Sequence, residues 1–120
     1  MKRKVVVLGA SENPLRYSNI AVRSLYTHGY EVIAIGSKEG VIGDVRVRLG
    51  KVDTQDVYAI TLYLSQINQL NYYEYILSIK PEKLIFNPGS ENTELQNLAV
   101  NEGIEVINDC TLLMLVNKRF

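Results

Sequence analysis

Apolar runs along the chain alternate with segments of helical spacing, an order typical of α/β proteins. Val5 to Leu8 form a continuous apolar run without polar alternation, which is the pattern of a parallel strand covered on both faces. Further strands are predicted at 31–35, 57–64, 83–87 and 105–107. The first run is therefore expected to lie centrally in a sheet.

Helical spacing separates these strands. The first predicted helix has its apolar positions at Ala21, Val22 and Leu25. Its expected cap is Ser18 or Asn19, and Gly29 suits the left-handed residue that ends a helix. A histidine in its last turn, His28, is expected to complement the carbonyl end of the helix rather than to act in catalysis.

Two more helices are predicted further along the chain. The second has Ile67, Leu70, Tyr73 and Leu77 at near-helical intervals and is expected to run to Lys80, before a proline. The third follows a cap at Ser90 or Asn92, has Leu95, Leu98 and Ala99 at helical spacing, and stops at Gly103.

Strands that alternate with helices imply βαβ crossovers. We therefore predict an α/β, Rossmann-like three-layer fold with an open, mostly parallel sheet, formed by a single domain over residues 1–120. Residues 38–55 are the least regular segment. Within it, 45–49 has the pattern of a short extra strand, whereas the surrounding glycines and charges favour exposed loops.

The composition of the chain limits the kinds of binding partner that we expect. Thirteen basic and thirteen acidic residues cancel, and the pI near 6.6 lacks the basic bias of nucleic-acid and membrane-surface binders. One cysteine cannot form an internal disulfide, and no run of about 18 apolar residues occurs. These features predict a cytoplasmic protein with neither a nucleic acid nor a membrane as its partner.

The loop after the first strand has the chemistry of a phosphate site. A dinucleotide fingerprint would supply three glycines here, but this loop has Gly9 alone. Backbone N–H groups at Ala10 and Ser11, the following helix dipole and the Ser18 hydroxyl can all face an anion, and Arg16 can approach a diphosphate. Asn13 and Pro14 also serve simply as turn formers.

A basic residue follows the second strand. NAD sites usually place an acidic residue there, whereas this chain has Lys38. A lysine suits the 3′-phosphate of coenzyme A or the 2′-phosphate of NADP. The alternative is a surface ion pair with Glu39.

A third loop, at residues 86–92, can line the same crevice. Asn87, Pro88 and Gly89 are its candidate ligand residues, while Glu91 and Glu94 are expected only to offset the dipole of the next helix. Cys110 is expected to be a half-buried, unreactive thiol. No side-chain cluster has the spacing of a metal site.

Residues 6–40, 53–69 and 84–115 together resemble the small stand-alone CoA-binding-domain proteins, which are similar to the CoA-binding domain of the succinyl-CoA synthetase alpha subunit. The resemblance covers nearly the whole chain and implies coenzyme A as the ligand. It places cofactor contacts at Gly9, Ala10, Ser11, Asn13, Pro14, Arg16, Tyr17, Ser18, Lys38, Asn87, Pro88, Gly89 and Asn92.

The family commonly has an Asn-Pro turn after the second strand, whereas Gly36 and Ser37 stand here. The phosphohistidine and ligase parts of the synthetase are not in this chain, so the resemblance implies binding of CoA or an acyl-CoA without catalysis. Two alternatives remain at this stage. One is an NADP-binding oxidoreductase or sensor. The other is a structural interaction protein with a vestigial pocket, in which tyrosines mediate a homo-oligomer.

Overall fold

A seven-stranded sheet forms the middle layer of the protein. The structure is a computed structural model and describes residues 2–120. The strands are β1 Lys4–Leu8, β2 Glu31–Ile35, β3 Gly40–Ile42, β4 Val45–Arg48, β5 Val57–Leu62, β6 Lys83–Phe86 and β7 Glu105–Asn108. Their order across the sheet is β3-β4-β2-β1-β5-β6-β7, and every pairing is parallel except that of β3 with β4.

Helices cover both faces of this sheet. They are α1 Tyr17–Thr27, α2 Gln66–Gln69, α3 Tyr73–Ile79, α4 Thr93–Asn101 and α5 Thr111–Val116, with a 3-10 turn at Leu70–Tyr72 between α2 and α3. This arrangement confirms the Rossmann-like α/β class that the sequence predicts.

The central position of β1 determines where the loops meet. β1 pairs with β2 on one side and with β5 on the other, and Leu8 lies level with Ile35 and Leu62. The chain order reverses between these neighbours, which creates the crevice where open α/β sheets bind ligands.

The two faces of β1 lead into two apolar layers. Val5 and Val7 pack in the layer that contains α1 and α5, whereas Val6 and Leu8 pack in the layer that contains α3 and α4. All four side chains are fully buried, and each contributes on the order of 1.5–3 kcal/mol to folding. A rigid core therefore lies directly beneath the loops at the carboxyl end of the sheet.

The strand predictions are confirmed in position, with small differences at their ends. The predicted strand 57–64 ends at Leu62, because the chain then bends over the end of β1, where the Tyr63 N–H donates to the Leu8 carbonyl at 2.8 Å. The short extra strand predicted at 45–49 is confirmed and corresponds to β4. β3 pairs with it in an antiparallel hairpin at the edge of the sheet.

The predicted caps have mixed outcomes. Asn92 caps α4, where its Oδ1 accepts from the Leu95 N–H at 3.2 Å. The caps proposed for α1 are wrong, because α1 begins at Tyr17 and both Ser18 and Asn19 are buried inside its first turn. His28 is confirmed as a hydrogen-bonded residue at the end of α1, with its Nδ1 2.7 Å from the Ser24 carbonyl oxygen.

The predicted helix 67–80 is interrupted. It forms α2, the 3-10 turn and then α3, with Lys80 in the left-handed conformation after the last turn. At the interruption Gln69 is fully buried, whereas Ile67 and Leu70, which the apolar spacing placed in the interior, are exposed. A further helix, α5, forms at 111–116, and the sequence analysis did not predict it.

Candidate nucleotide site

The first loop crosses the end of β2 in close contact. Gly9 has φ +97°, and a Cβ there would meet the Tyr63 carbonyl oxygen, so glycine is required for conformation and for space. The N–H groups of Gly9 and Ala10 both donate to the Ile35 carbonyl at 2.9 Å. The expectation that the Ala10 amide faces a phosphate is therefore wrong, because that donor is already used.

Residues 11–16 form a hydrogen-bonded turn. The Asn13 N–H donates to Ser11 Oγ at 3.1 Å, and Asn13 Oδ1 accepts from the Leu15 N–H at 3.0 Å. In the part of the chain that the structure describes, the N–H groups of Ser11, Glu12, Tyr17 and Ser18 have no protein acceptor. These four donors, at the loop and the start of α1, are the ones available to an anion.

Asn19 fastens this loop to α1. Its Nδ2 donates to the Ser11 carbonyl at 2.9 Å, and its Oδ1 accepts from Arg23 Nε at 3.0 Å. The sequence analysis missed this role, because a buried amide in the first turn of a helix has the same residue type as a helix cap. The loop is therefore held by a side chain from the helix it precedes.

A cleft lies over the carboxyl ends of β1 and β5, and we call it the central cleft. It has two adjoining parts, of about 580 Å³ and about 290 Å³. Both parts are lined by Gly9, Ser11, Arg16, Tyr63, Leu64 and Ser65. Ala10, Gly36 and Ser37 line only the larger part, whereas Tyr17, Ser18, Pro88, Gly89 and Ser90 line only the smaller part.

Most of the predicted contact residues thus meet in one place. Asn13 and Pro14 do not line the cleft and shape the turn on its outer side. Lys38 is exposed one residue beyond Ser37, and within residues 2–120 it forms no salt bridge with Glu39. Lys38 is therefore adjacent to the larger part of the cleft without forming its wall.

Asn87 is not free to contact a ligand through its side chain. It is buried, and its Nδ2 donates to Thr61 Oγ1 at 2.6 Å and to the Leu62 carbonyl at 2.9 Å. Its Oδ1 accepts from the Thr111 N–H at 2.8 Å. This single amide therefore joins β5, the end of β6 and the start of α5.

Asn92 is used in the same way. Besides capping α4, its Nδ2 donates to Gln69 Oε1 at 2.9 Å and to the Tyr73 hydroxyl at 2.8 Å. Both asparagines therefore hold the loop that presents Pro88 and Gly89, and their side chains do not point out as binding groups.

Gly36 follows β2, where the sequence analysis noted that an Asn-Pro turn is common in the family, and the structure shows why glycine fits here. A Cβ on Gly36 would overlap the Ala10 carbonyl oxygen, so the loops after β1 and β2 touch there. A second tie joins the same loops, since Glu12 Oε2 accepts from the Val41 N–H at 2.8 Å and the Glu12 side chain fills the space where a Cβ of Gly40 would lie. The segment that carries Lys38 is thus held against the first loop.

Charged groups are distributed unevenly around the cleft. Arg16 is the cation that lines both parts of it. On the β6 side, Glu91 Oε1 accepts from the Gly89 N–H at 2.9 Å, and Glu94 Oε1 accepts from the Tyr73 hydroxyl at 2.9 Å. A third carboxylate, that of Glu12, lies on the β2 side against Gly40 and Val41. Phosphate groups are therefore favoured near Arg16 and disfavoured close to these three glutamates.

A tyrosine beneath the cleft has an unbonded hydroxyl. Tyr63 Oη is buried close to the Thr111 and Thr61 hydroxyls, but these bond to each other, and Tyr63 Oη makes no hydrogen bond of normal geometry to the described residues. Burial raises the pKa of Tyr63 to about 12, because the charged phenolate would be poorly solvated there. Cys110 is half-buried, as expected.

The described residues were also compared with the requirements of a metal site and of a membrane-spanning helix. Among residues 2–120, no group of three or more His, Cys, Asp and Glu side chains is arranged to hold a metal ion. In the same part of the chain, none of the helices has the length and apolar character needed to cross a membrane.

Comparison with known proteins identifies a family and several similar structures. A family model described as a CoA binding domain matches residues 3–116. A crystal structure of an uncharacterized protein has 39% identity and a TM-score of 0.95, covering 100% of this chain and 99% of that one. No curated protein matches the chain.

Two structures from Pyrococcus are also similar. A conserved hypothetical protein from Pyrococcus furiosus has 26% identity and a TM-score of 0.79, covering 92% of this chain and 97% of that one. A hypothetical protein from Pyrococcus horikoshii OT3 has 23% identity and a TM-score of 0.82, covering 93% and 80%. The second of these likenesses concerns the fold alone.

Proposed function

The chain belongs to the CoA-binding domain family, and from this premise we propose that it binds coenzyme A or an acyl-CoA without catalysing a reaction. The observation that carries the proposal is the set of unbonded N–H groups at Ser11, Tyr17 and Ser18, residues that line the central cleft together with Arg16. Backbone donors at the start of a helix, together with a guanidinium, suit a diphosphate.

The two ends of the ligand take opposite sides of the cleft in this proposal. The adenosine lies over Gly36 and Ser37, where Lys38 meets the 3′-phosphate. The uncharged pantetheine arm runs toward Pro88, Gly89 and Ser90, on the side where Glu91 disfavours phosphate. This orientation places each charged group of the ligand near a cation.

The proposed role is a small-molecule binding module in the cytoplasm. We assign no reaction to it, because the family description concerns binding. NADP remains the second ligand to test, since the cation at Lys38 also suits a 2′-phosphate.

Calorimetric titration of the purified protein, checked first for copurified ligand, tests the proposal with CoA, dephospho-CoA and NADPH. We expect CoA to bind and dephospho-CoA to bind about tenfold or more weakly, because the latter lacks the group that Lys38 meets. Binding of NADPH alone would favour the NADP alternative. Binding of none of the three compounds would contradict the proposed function.

Two cation variants locate the phosphates. Arg16→Ala and Lys38→Ala are each expected to weaken CoA binding by about 10-fold to 100-fold, the loss of one charge-assisted contact. Both side chains are exposed, so the free energy of unfolding should stay within about 0.5 kcal/mol of the wild type. Arg46→Ala is the matched control, since Arg46 is exposed on β4 and does not line the central cleft.

A further inference from the structure

A second groove adjoins the central cleft on its β5–β6 side. It has a volume of about 510 Å³ and is lined by Ser65, Gln66, Ile67, Leu70, Tyr73 and Glu94. Ser65 also lines both parts of the central cleft, so the two spaces adjoin at this residue. We call this second space the side groove.

The apolar wall of the side groove follows from how Gln69 is held. Gln69 is fully buried, and its Nε2 donates to the Leu64 carbonyl at 2.8 Å and to the Ser90 carbonyl at 2.7 Å. With this amide fixed inward, the neighbouring apolar residues are turned outward. Ile67 is 74% exposed and Leu70 is 53% exposed.

Hydrogen bonds hold two further side chains of the side groove, Tyr73 and Glu94. The Tyr73 hydroxyl donates to Glu94 and accepts from Asn92 Nδ2, so the aromatic ring is fixed at both its backbone and its tip. An aliphatic chain in the groove can lie against this ring and the Ile67 and Leu70 side chains. The Glu94 carboxylate excludes a phosphate from the same position.

The place of the side groove in the sheet order indicates which part of a ligand reaches it. Across the sheet the order is β2, β1, β5 and β6, so Ser37 and Ser65 are on opposite sides of the first loop. In the orientation proposed above, adenosine lies on the Ser37 side. The pantetheine arm then runs into the smaller part of the cleft, where Ser65 lies with Pro88, Gly89 and Ser90, and its thiol end is directed toward the side groove at Ser65.

We propose that the side groove holds the apolar acyl chain of an acyl-CoA. This inference rests on the proposed function and adds the class of acyl group to it. Burial of methylene groups against Ile67, Leu70 and the ring of Tyr73 supplies the preference over the free thiol.

Calorimetry with CoA, acetyl-CoA and octanoyl-CoA tests the inference. Acetyl-CoA should bind within about threefold of CoA, and octanoyl-CoA at least about tenfold more tightly than acetyl-CoA, since even half-burial of six further methylenes exceeds that factor. Ile67→Ser and Leu70→Ser should each reduce the ratio of octanoyl-CoA to CoA affinity by about threefold or more.

The matched control is Val116→Ser. Val116 is also 74% exposed but lies on α5, outside both grooves, so this variant should keep the wild-type affinity ratio. All three substituted side chains are exposed, and loss of the fold is not expected to account for a change.

The outcomes separate the two proposals. If CoA binds and octanoyl-CoA binds no more tightly than acetyl-CoA, the acyl-chain inference is wrong while the proposed function stands. If the preference for octanoyl-CoA persists in Ile67→Ser and Leu70→Ser, the chain lies elsewhere and the inference is also overturned. If no CoA compound binds, both proposals fail.

Discussion

Tyr63 and Tyr75 differ in whether their hydroxyls are hydrogen-bonded. Tyr63 Oη has no partner among the described residues, whereas Tyr75 Oη donates to the Val52 carbonyl at 2.6 Å. A buried, unbonded hydroxyl opposes folding, and a buried, bonded one contributes about 1 kcal/mol. We therefore expect Tyr63→Phe to raise the free energy of unfolding at neutral pH by about 1 kcal/mol, measured by urea denaturation.

Tyr75→Phe is the matched control and should lower the free energy of unfolding by about 1 kcal/mol, because it removes a bonded hydroxyl.

The pKa of Tyr63 is raised to about 12, so in the folded state Tyr63 keeps its proton at a pH where the unfolded chain, in which the pKa is near 10, loses it. The raised pKa of Tyr63 therefore favours the folded state by an amount that is fully present below pH 10 and is lost as the pH rises toward 12. Tyr63→Phe should flatten part of that decline, since burial also raises the pKa of Tyr75 to about 12. Equal destabilisation by both variants at neutral pH would contradict the assignment of an unbonded hydroxyl.

At the scale of elements, one amide connects three of them beneath the cleft. Asn87 bonds to Thr61, to the Leu62 carbonyl and to the Thr111 N–H, and the Thr61 and Thr111 hydroxyls are 2.8 Å apart. Removing the amide leaves several buried polar groups unpaired. Asn87→Ala is therefore expected to lower the free energy of unfolding by about 2–4 kcal/mol, measured by urea denaturation.

Asn108→Ala provides the comparison for this prediction. The Asn108 amide is exposed and makes one long bond, from its Nδ2 to Gln96 Oε1 at 3.2 Å, so its loss should cost less than about 0.5 kcal/mol. A similar small cost for Asn87→Ala would show that the network beneath the loops does not hold β5, β6 and α5 together.

The strands were predictable because their apolar character depends on burial alone. The uninterrupted run at Val5 to Leu8 indicates a strand covered on both faces, and each of those side chains is buried. The helices were less predictable where a polar residue takes an interior position. Gln69 is the example, since its amide finds carbonyl partners from Leu64 and Ser90 that no local pattern reveals.

The site was predictable in the same uneven way. Gly9, Arg16 and Gly89 come together because the carboxyl ends of parallel strands share one edge. Which amides stay available depends on long-range bonds, such as those from Gly9 and Ala10 to the Ile35 carbonyl. The inward direction of Asn87 likewise depends on α5, a helix that the sequence analysis did not predict.

At the scale of the whole molecule, the fold keeps support and recognition in separate layers. The two apolar layers pack against the sheet, while the binding groups proposed here lie on loops beyond the carboxyl ends of the strands. The cleft is lined by residues that follow β1, β2, β5 and β6, so the proposed ligand would contact all four loops at once. Its binding is therefore expected to stabilise the folded chain as a unit, because a ligand that binds only the folded state shifts the unfolding equilibrium.

Thermal unfolding with and without CoA measures this coupling. At a free CoA concentration of 100 times Kd, the folded state gains about 2.7 kcal/mol, which corresponds to an increase in Tm of several degrees, roughly 8–15 °C, for a domain of this size. Arg16→Ala should unfold at the wild-type Tm without ligand, because Arg16 is exposed, but should show a smaller increase at the same CoA concentration. An unchanged Tm with CoA in the wild type would contradict the proposed function. An equal increase in Arg16→Ala would instead remove Arg16 from the site while leaving CoA binding intact.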